Sequence, residues 1–201
     1  VFTYISNDLQ QYIIESITDK ETSSIIDKLF LDDTVDFLEE MPSNVVKKVI
    51  KNTDEETRKL INQFLNYPED SAGSIMTIEF VDLKKQMTVR EALIHIKATG
   101  IDKETINNCY VIDKERKLEG VLSIRKLILS ELDTVIDDIM NTDVLYANTL
   151  DDQEKIASLF KKYDLTTLPV VDNENCLVGI VTIDDIVDII DEENTEDLHK
   201  M

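Results

Sequence analysis

Between residues 7 and 66, apolar side chains recur three and four positions apart: Ile13, Ile14 and Ile17; Ile25, Ile26, Leu29 and Phe30; Val45, Val46, Val49 and Ile50; Leu60, Ile61, Phe64 and Leu65. This is the period of amphipathic helices that each bury one stripe. Thr18-Asp19, Met41-Pro42-Ser43 and Asn52-Thr53-Asp54 interrupt it with residues that cap a helix or open its first turn. A stack of brief helices is therefore expected, not a bundle of long rods. Pro68 should end the last of them, with Gly73 permitting a turn in Tyr67-Pro68-Glu69-Asp70-Ser71-Ala72-Gly73.

Beyond this junction the period changes. Residues 79–85, 108–113, 118–122, 143–147, 167–172 and 177–182 are short and rich in Val, Ile, Tyr and Leu, which predicts strands. Residues 88–97, 124–129, 151–163 and 183–192 keep helical spacing. The fold class is therefore α+β, a superhelix-like all-α domain followed by an alternating part.

The alternating part contains one plan twice. Val111-Ile112-Asp113 and Gly120-Val121-Leu122-Ser123-Ile124 match Val170-Val171-Asp172 and Gly179-Ile180-Val181-Thr182-Ile183, with the same Asp-to-Gly spacing. Met76 and Met140 are 64 positions apart, whereas Asp113 and Asp172 are 59 apart, so the first copy should carry about five extra residues, near Gly100 to Asn107. Each β-α-β-β-α copy is too small to bury its apolar face alone, and the two are expected to pack together.

Composition narrows the chemistry. The 201 residues hold 21 Lys and Arg against 42 Asp and Glu, a formal charge of −21, and residues 131–201 alone carry 19 acids and 4 bases. Such a surface repels phosphate backbones, which argues against a nucleic acid partner, and attracts cations. Cys109 and Cys176 form no CxxC or Cys/His ligand spacing, so they are expected to be small apolar residues in a reducing compartment. His95 and His199 lie in no nucleophile elbow or HExxH pattern, and no phosphate-binding glycine loop occurs, so no enzyme is expected. No apolar run is long enough to span a bilayer and Val1 opens no targeting signal. Because Val1 is not an initiator Met, the chain is expected to be part of a longer one.

With its hydrophobic-Val-Asp turn, its Gly-Val/Ile strand ending in Ser or Thr, and the helix that follows, the repeat resembles a tandem pair of cystathionine-β-synthase (CBS) domains. Tyr67-Pro-Glu-Asp-Ser-Ala-Gly-Ser-Ile-Met-Thr leads into the pair and Glu193-Asn-Thr-Glu-Asp-Leu-His-Lys leads out of it. Together with the acidic helical stack, these features resemble the cytosolic part of an MgtE-type magnesium transporter. The resemblance implies a helical domain over 1–67, a junction over 68–75, CBS domains over 76–135 and 136–191, and over 192–201 the start of a helix leading to a membrane domain. It also implies a homodimer formed through the CBS helices, a transmembrane pore in the full-length protein, and a place at the cytoplasmic face of the membrane. In such a protein Mg2+ between acidic faces holds the domains together and the pore shut.

Mg2+ takes hard oxygen ligands and keeps several waters, so one or two carboxylates on each face can hold it. Asp32 and Asp36, four apart on one helix, point the same way. The matching family positions face the CBS pair. The resemblance also selects Asp152, Glu154, Asp164 and Asp185, then Glu193, Glu196 and Asp197, as metal ligands. Asp152 also stands where it can cap a helix.

The rival regulatory ligand is an adenine nucleotide, ATP or AMP, which CBS pairs bind with an Asp of the last helix and a nearby Thr or Ser. Thr182 and Asp185 fit that pattern in the second copy. The first copy offers Ser123 but has Lys126 in place of the Asp, so at most one of the two clefts fits.

Overall fold

The helical stack begins with a single 3-10 turn, Phe2–Tyr4, and continues as α1 (Asn7–Ser16), α2 (Asp19–Ile26), α3 (Leu31–Glu39), α4 (Ser43–Lys51) and α5 (Glu55–Phe64). The structure, a computed structural model, describes residues 2–187, 189 and 190. It divides into two compact units, Val1–Tyr67 and Pro68–Met201.

In the first unit side chains cap the starts of α2 and α5. Thr18 and Glu21 form a reciprocal capping box at α2, the Thr18 N–H donating to Glu21 Oε2 at 2.9 Å. Asp54 Oδ1 accepts from the N–H groups of Glu56 and Thr57 at the start of α5. The opposite ends receive cations, which suit the partial negative charge there. Lys48 Nζ donates to the carbonyls of Ile14 (2.6 Å) and Ile17 at the end of α1, and Arg58 donates to those of Ile50 (3.1 Å) and Thr53 (2.7 Å) at the end of α4. Ile14, Ile26, Val45, Val49, Ile61 and Phe64 are buried with Leu31, Val35, Phe37 and Leu38 of α3. One break is not marked in the sequence: α2 stops at Ile26 and α3 starts at Leu31, with Phe30 at its N-cap making no side-chain capping bond. Leu29 and Phe30 are half-buried, so the apolar spacing runs through the turn unchanged.

In the second unit two three-stranded sheets repeat one topology. β1 (Val81–Leu83) runs parallel to β2 (Asn108–Ile112), which is antiparallel to β3 (Leu118–Ser123); β4 (Ala147–Asn148), β5 (Thr167–Val171) and β6 (Leu177–Thr182) are arranged likewise. α6 (Ala72–Ile75), α7 (Val89–Thr99) and α8 (Ile124–Leu129) accompany the first copy, and α9 (Ile136–Ile139) and α10 (Gln153–Tyr163) the second. Residues 183–187 and 189–190 are again helical. Between α7 and β2 lie residues 100–107, but between α10 and β5 only residues 164–166, which places the five-residue difference where the repeat alignment puts it.

Two expectations need correction, and two short helices are unexpected. The strand expected over 143–147 is reduced to Ala147–Asn148, with Leu145 and Tyr146 exposed; its apolar run covers no core. The turn at the junction is made by Asp70 in a left-handed conformation (φ 59°), while Gly73 lies inside α6. The four-residue helices α6 and α9 are too short to show a period.

Each copy lends its leading segment to the other. The N–H and C=O of Thr77 pair with those of Ile180, both at 2.8 Å, and Asn141 pairs reciprocally with Val121, both at 2.9 Å. Met76 therefore packs on Gly179 of the second copy, and Met140 on Gly120 of the first. Across the same seam the Tyr110 hydroxyl meets Thr167 Oγ1 at 2.8 Å, and Phe80, Tyr110, Ile112, Leu177 and Ile180 form a shared core. This exchange explains how two small repeats, neither self-sufficient, make one body.

Candidate functional site

α3 carries its acids between the positions of its apolar stripe. Asp32 is half-buried and Asp36, one turn further on, is exposed. Asp36 lines a cleft of about 180 Å3 together with Thr3, Asn7, Gln10, Asp33, Phe37 and Glu40. Asp32 is not among the lining residues, so the cleft brings Asp36 together with Asp33 and Glu40 and not with Asp32. The spacing 33, 36, 40 is helical, and that is the signal by which Asp33 and Glu40 could have been found. Asn7 Nδ2 donates to Glu40 Oε2 at 3.3 Å, across the cleft from α1.

The acids of the second copy are set by the geometry of α10. Asp152 is its N-cap, accepting from the Glu154 N–H at 2.9 Å, and both carboxylates are exposed. The sequence places Asp, an effective cap, directly before the helix. Asp164 ends the same helix in the left-handed conformation, φ 50°. Asp152 and Asp164 are twelve residues apart, roughly 18 Å at 1.5 Å per helical residue, so the two ends of α10 cannot share one ion. Neighbouring Asp151 is partly buried, which opposes its ionisation. The Lys155 ammonium at 2.6 Å and the Asn148 N–H outweigh that cost and hold its carboxyl below the usual range.

Asp185 lies one turn after β6, half-buried. Its Oδ2 accepts from the N–H of Thr182 (3.1 Å) and from its Oγ1 (2.7 Å). The two residues singled out for a nucleotide are thus joined to each other in a capping arrangement. At the equivalent place in the first copy Ser123 caps α8 through the Lys126 N–H, and the exposed Lys126 side chain stands where the second copy has its acid. Glu193, Glu196 and Asp197 lie outside the described residues. Among the described residues no three Asp, Glu, His or Cys side chains come together as a group able to hold a metal ion. The donors offered are hard carboxylate oxygens, which suit Mg2+ with part of its water shell kept.

Cys109 is buried, and burial raises its thiol pKa to about 12. No thiolate chemistry is available there near neutral pH.

The sequence pattern that defines the MgtE intracellular N domain matches residues 1–70, and the CBS domain pattern matches residues 72–132 and 136–192. The fold is similar to that of a solved soluble part of a magnesium transporter, with a TM-score of 0.91 and 35% identity over 96% of this chain and 76% of that one. The chain belongs to the MgtE family. The cytosolic domain of the Mg2+ channel MgtE, solved in complex with ATP, is similar at a TM-score of 0.88 and 38% identity, covering 94% of this chain and 77% of that chain. The magnesium transporter MgtE of Bacillus subtilis is 36% identical over 98% of this chain and 44% of its own length. That of Thermus thermophilus is 46% identical over 74% of this chain and 33% of its own length. The chain thus spans less than half of these MgtE relatives, and corresponds to their regulatory, cytosolic region. No described helix is long and apolar enough to cross a membrane. The MgtE proteins that it follows over most of its length are named as transporters, not enzymes.

Proposed function

We propose that this chain is the Mg2+-sensing regulatory region of a magnesium transporter or channel, lying at the cytoplasmic face of the membrane and joined to its own transmembrane pore in the full-length protein. The observation that carries this reading is membership of the MgtE family, combined with the acids of α3 and the exposed Asp152 and Glu154 at the start of α10.

When bound, Mg2+ supplies positive charge that offsets repulsion between acidic faces. The residues of the chain do the rest. Asp32 and Asp36 on the helical domain, and Asp152, Glu154, Asp164 and Asp185 on the CBS pair, present the charge to be neutralised. Glu193, Glu196 and Asp197, outside the described residues, add three more acids in sequence. With carboxylates on both the helical domain and the CBS pair, the response is shared among several sites. One site at 100 times its dissociation constant contributes about 2.7 kcal/mol. Moving a population from 1:99 to 99:1 takes about 5.5 kcal/mol, the yield of roughly two such sites. Withdrawal of the cation restores repulsion and lets the domains separate, which opens the pore.

Dimerisation through the CBS helices belongs to the same reading. It is supported by exposed Ile128 and Leu129 of α8, and by Ile183, Val187 and Ile190, which lie on the helix after β6 and are left partly uncovered.

Small-angle scattering tests the sensor directly. Millimolar Mg2+ should reduce the radius of gyration of the chain, and an unchanged curve would count decisively against the reading.

A second ligand is favoured by one observation, the Thr182–Asp185 arrangement, together with the ATP complex of a relative. We infer that an adenine nucleotide binds in the second copy as a modulator alongside Mg2+. Lys126 leaves the first copy without the corresponding acid.

A further inference from the structure

The chain enters the second unit at Pro68, and its next residues do not join the copy they precede in sequence. Asp70 accepts from Gln153 twice, its carbonyl from the backbone N–H at 2.8 Å and its Oδ1 from Nε2 at 3.1 Å. Ala72 N–H donates to the Asp151 carbonyl at 2.7 Å, and Gly73 N–H to that of Thr149 at 2.9 Å. Ser71 and Asp152 face each other as an antiparallel bridge. Ser71, Ala72 and Gly73 are buried, and their small side chains allow the backbone to lie close.

The related segment in the other half makes the same type of contact: Val89 and Arg90 donate to Thr134 and Leu132, and Thr88 bridges Val135. That clamp, however, joins one CBS copy to the other. The Asp70–Gly73 clamp begins three residues after the helical domain ends, so it ties the tether of that domain to the second copy.

We propose that residues 70–73 are a strap that fastens the chain leaving the helical domain to the Asp152 end of α10, so that strap and helix end open and close as one element. Displacement of the helical domain then pulls on the second CBS copy and not on the first. The coupling of this element to cation rests on the Mg2+ reading, since Asp152 and Glu154 stand at the strapped end.

Gln153 allows a selective cut. It is the first residue of α10, where proline is well accepted, and Asp152 already has the extended backbone (φ −67°, ψ 139°) that a following proline requires. Gln153→Pro therefore removes both donors to Asp70 while leaving the helix intact, and Gln153→Ala removes only the side-chain donor. Hydrogen exchange of the full chain reads the result. In Gln153→Pro the Ala72 and Gly73 amides should exchange at least tenfold faster, with α10 from Ile156 to Phe160 and β6 unchanged; in Gln153→Ala the gain should be smaller. Unchanged exchange at Ala72 and Gly73 in both variants overturns the strap. In the wild-type chain millimolar Mg2+ should slow Ala72 and Gly73 together, and this slowing should vanish in Gln153→Pro while amides of α3 still respond. If Mg2+ slows no amide of the wild-type chain, the Mg2+ reading falls and the strap is judged on the cation-free comparison alone.

Discussion

A Cβ on Gly179 would stand 2.7 Å from the sulfur of Met76 and 2.8 Å from the carbonyl oxygen of Thr77. The second contact is with backbone that is itself held by paired hydrogen bonds to Ile180, so it cannot give way as a flexible side-chain tip would. At the equivalent Gly120 the nearest atoms are Met140 Sδ at 2.8 Å and the Asn141 carbonyl at 3.1 Å. Gly179→Ala should therefore destabilise the chain by about 1–3 kcal/mol, and Gly120→Ala by less. Urea denaturation of the two variants checks the order; equal midpoints would show that the exchanged segments are not held as tightly as described.

The two parts played by Asp152 can be separated. Asp152→Ala removes the cap of α10 and should cost about 1 kcal/mol. Asp152→Asn keeps an equally good cap and removes the charge, so it should melt close to the wild type yet need several-fold more Mg2+ to compact. Thermal melts and a scattering titration make the comparison, and an unaltered Mg2+ midpoint in Asp152→Asn would leave Asp152 as a structural cap only.

Asp32→Asn combined with Asp36→Asn should also weaken compaction by Mg2+. Asp36 is exposed and Asp32 half-buried, and Asn matches Asp in size, so the double variant should still fold. Full retention of the response would remove this helix from the sensor.

Alkaline pH should unfold the chain through its seam. Burial raises the Tyr110 pKa to about 12 against the smaller opposing effect of its hydrogen bond to Thr167, and burial raises Cys109 to about 12 as well. Both groups are neutral when protonated, and the folded state holds those protons more tightly than the unfolded chain does. Their contribution is complete below the ordinary pKa of each, near 9 for the thiol and 10 for the phenol, and is lost as pH rises toward 12. Stability measured between about pH 8 and 11.5 should fall steadily, and Tyr110→Phe should flatten the upper part of that decline.

Nucleotide binding should be single. Calorimetric titration with ATP should give one site per chain, and Asp185→Ala should abolish it, since Lys126 occupies the corresponding place in the first copy. Two sites of similar affinity would contradict the assignment to the Thr182–Asp185 cleft.

Much of this architecture is legible in the sequence because local chemistry and tertiary packing agree. Thr18, Asp54 and Asp152 occupy cap positions that residue type and neighbouring periodicity mark by themselves, and the repeated Asp-to-Gly spacing marks two equivalent hairpins. The exchange of leading segments is not legible, since repetition shows that two copies exist but not which backbone pairs with which. Leu145 and Tyr146 mislead because an apolar run resembles a strand whether or not a core lies beneath it. The acidic cleft is half legible: the spacing 33, 36, 40 is helical and could have joined Asp33 and Glu40 to Asp36, but the three look like the ordinary wet face of a helix until Asn7 and Gln10 are seen opposite.

The lending of segments between the repeats also bears on synthesis. When the first copy leaves the ribosome, its Met76–Thr77 stretch has no place to dock until Gly179 and Ile180 have been made, about a hundred residues later. Closure must therefore wait for the second copy, and a nascent chain stalled near residue 140 should stay open to proteases that spare the finished body.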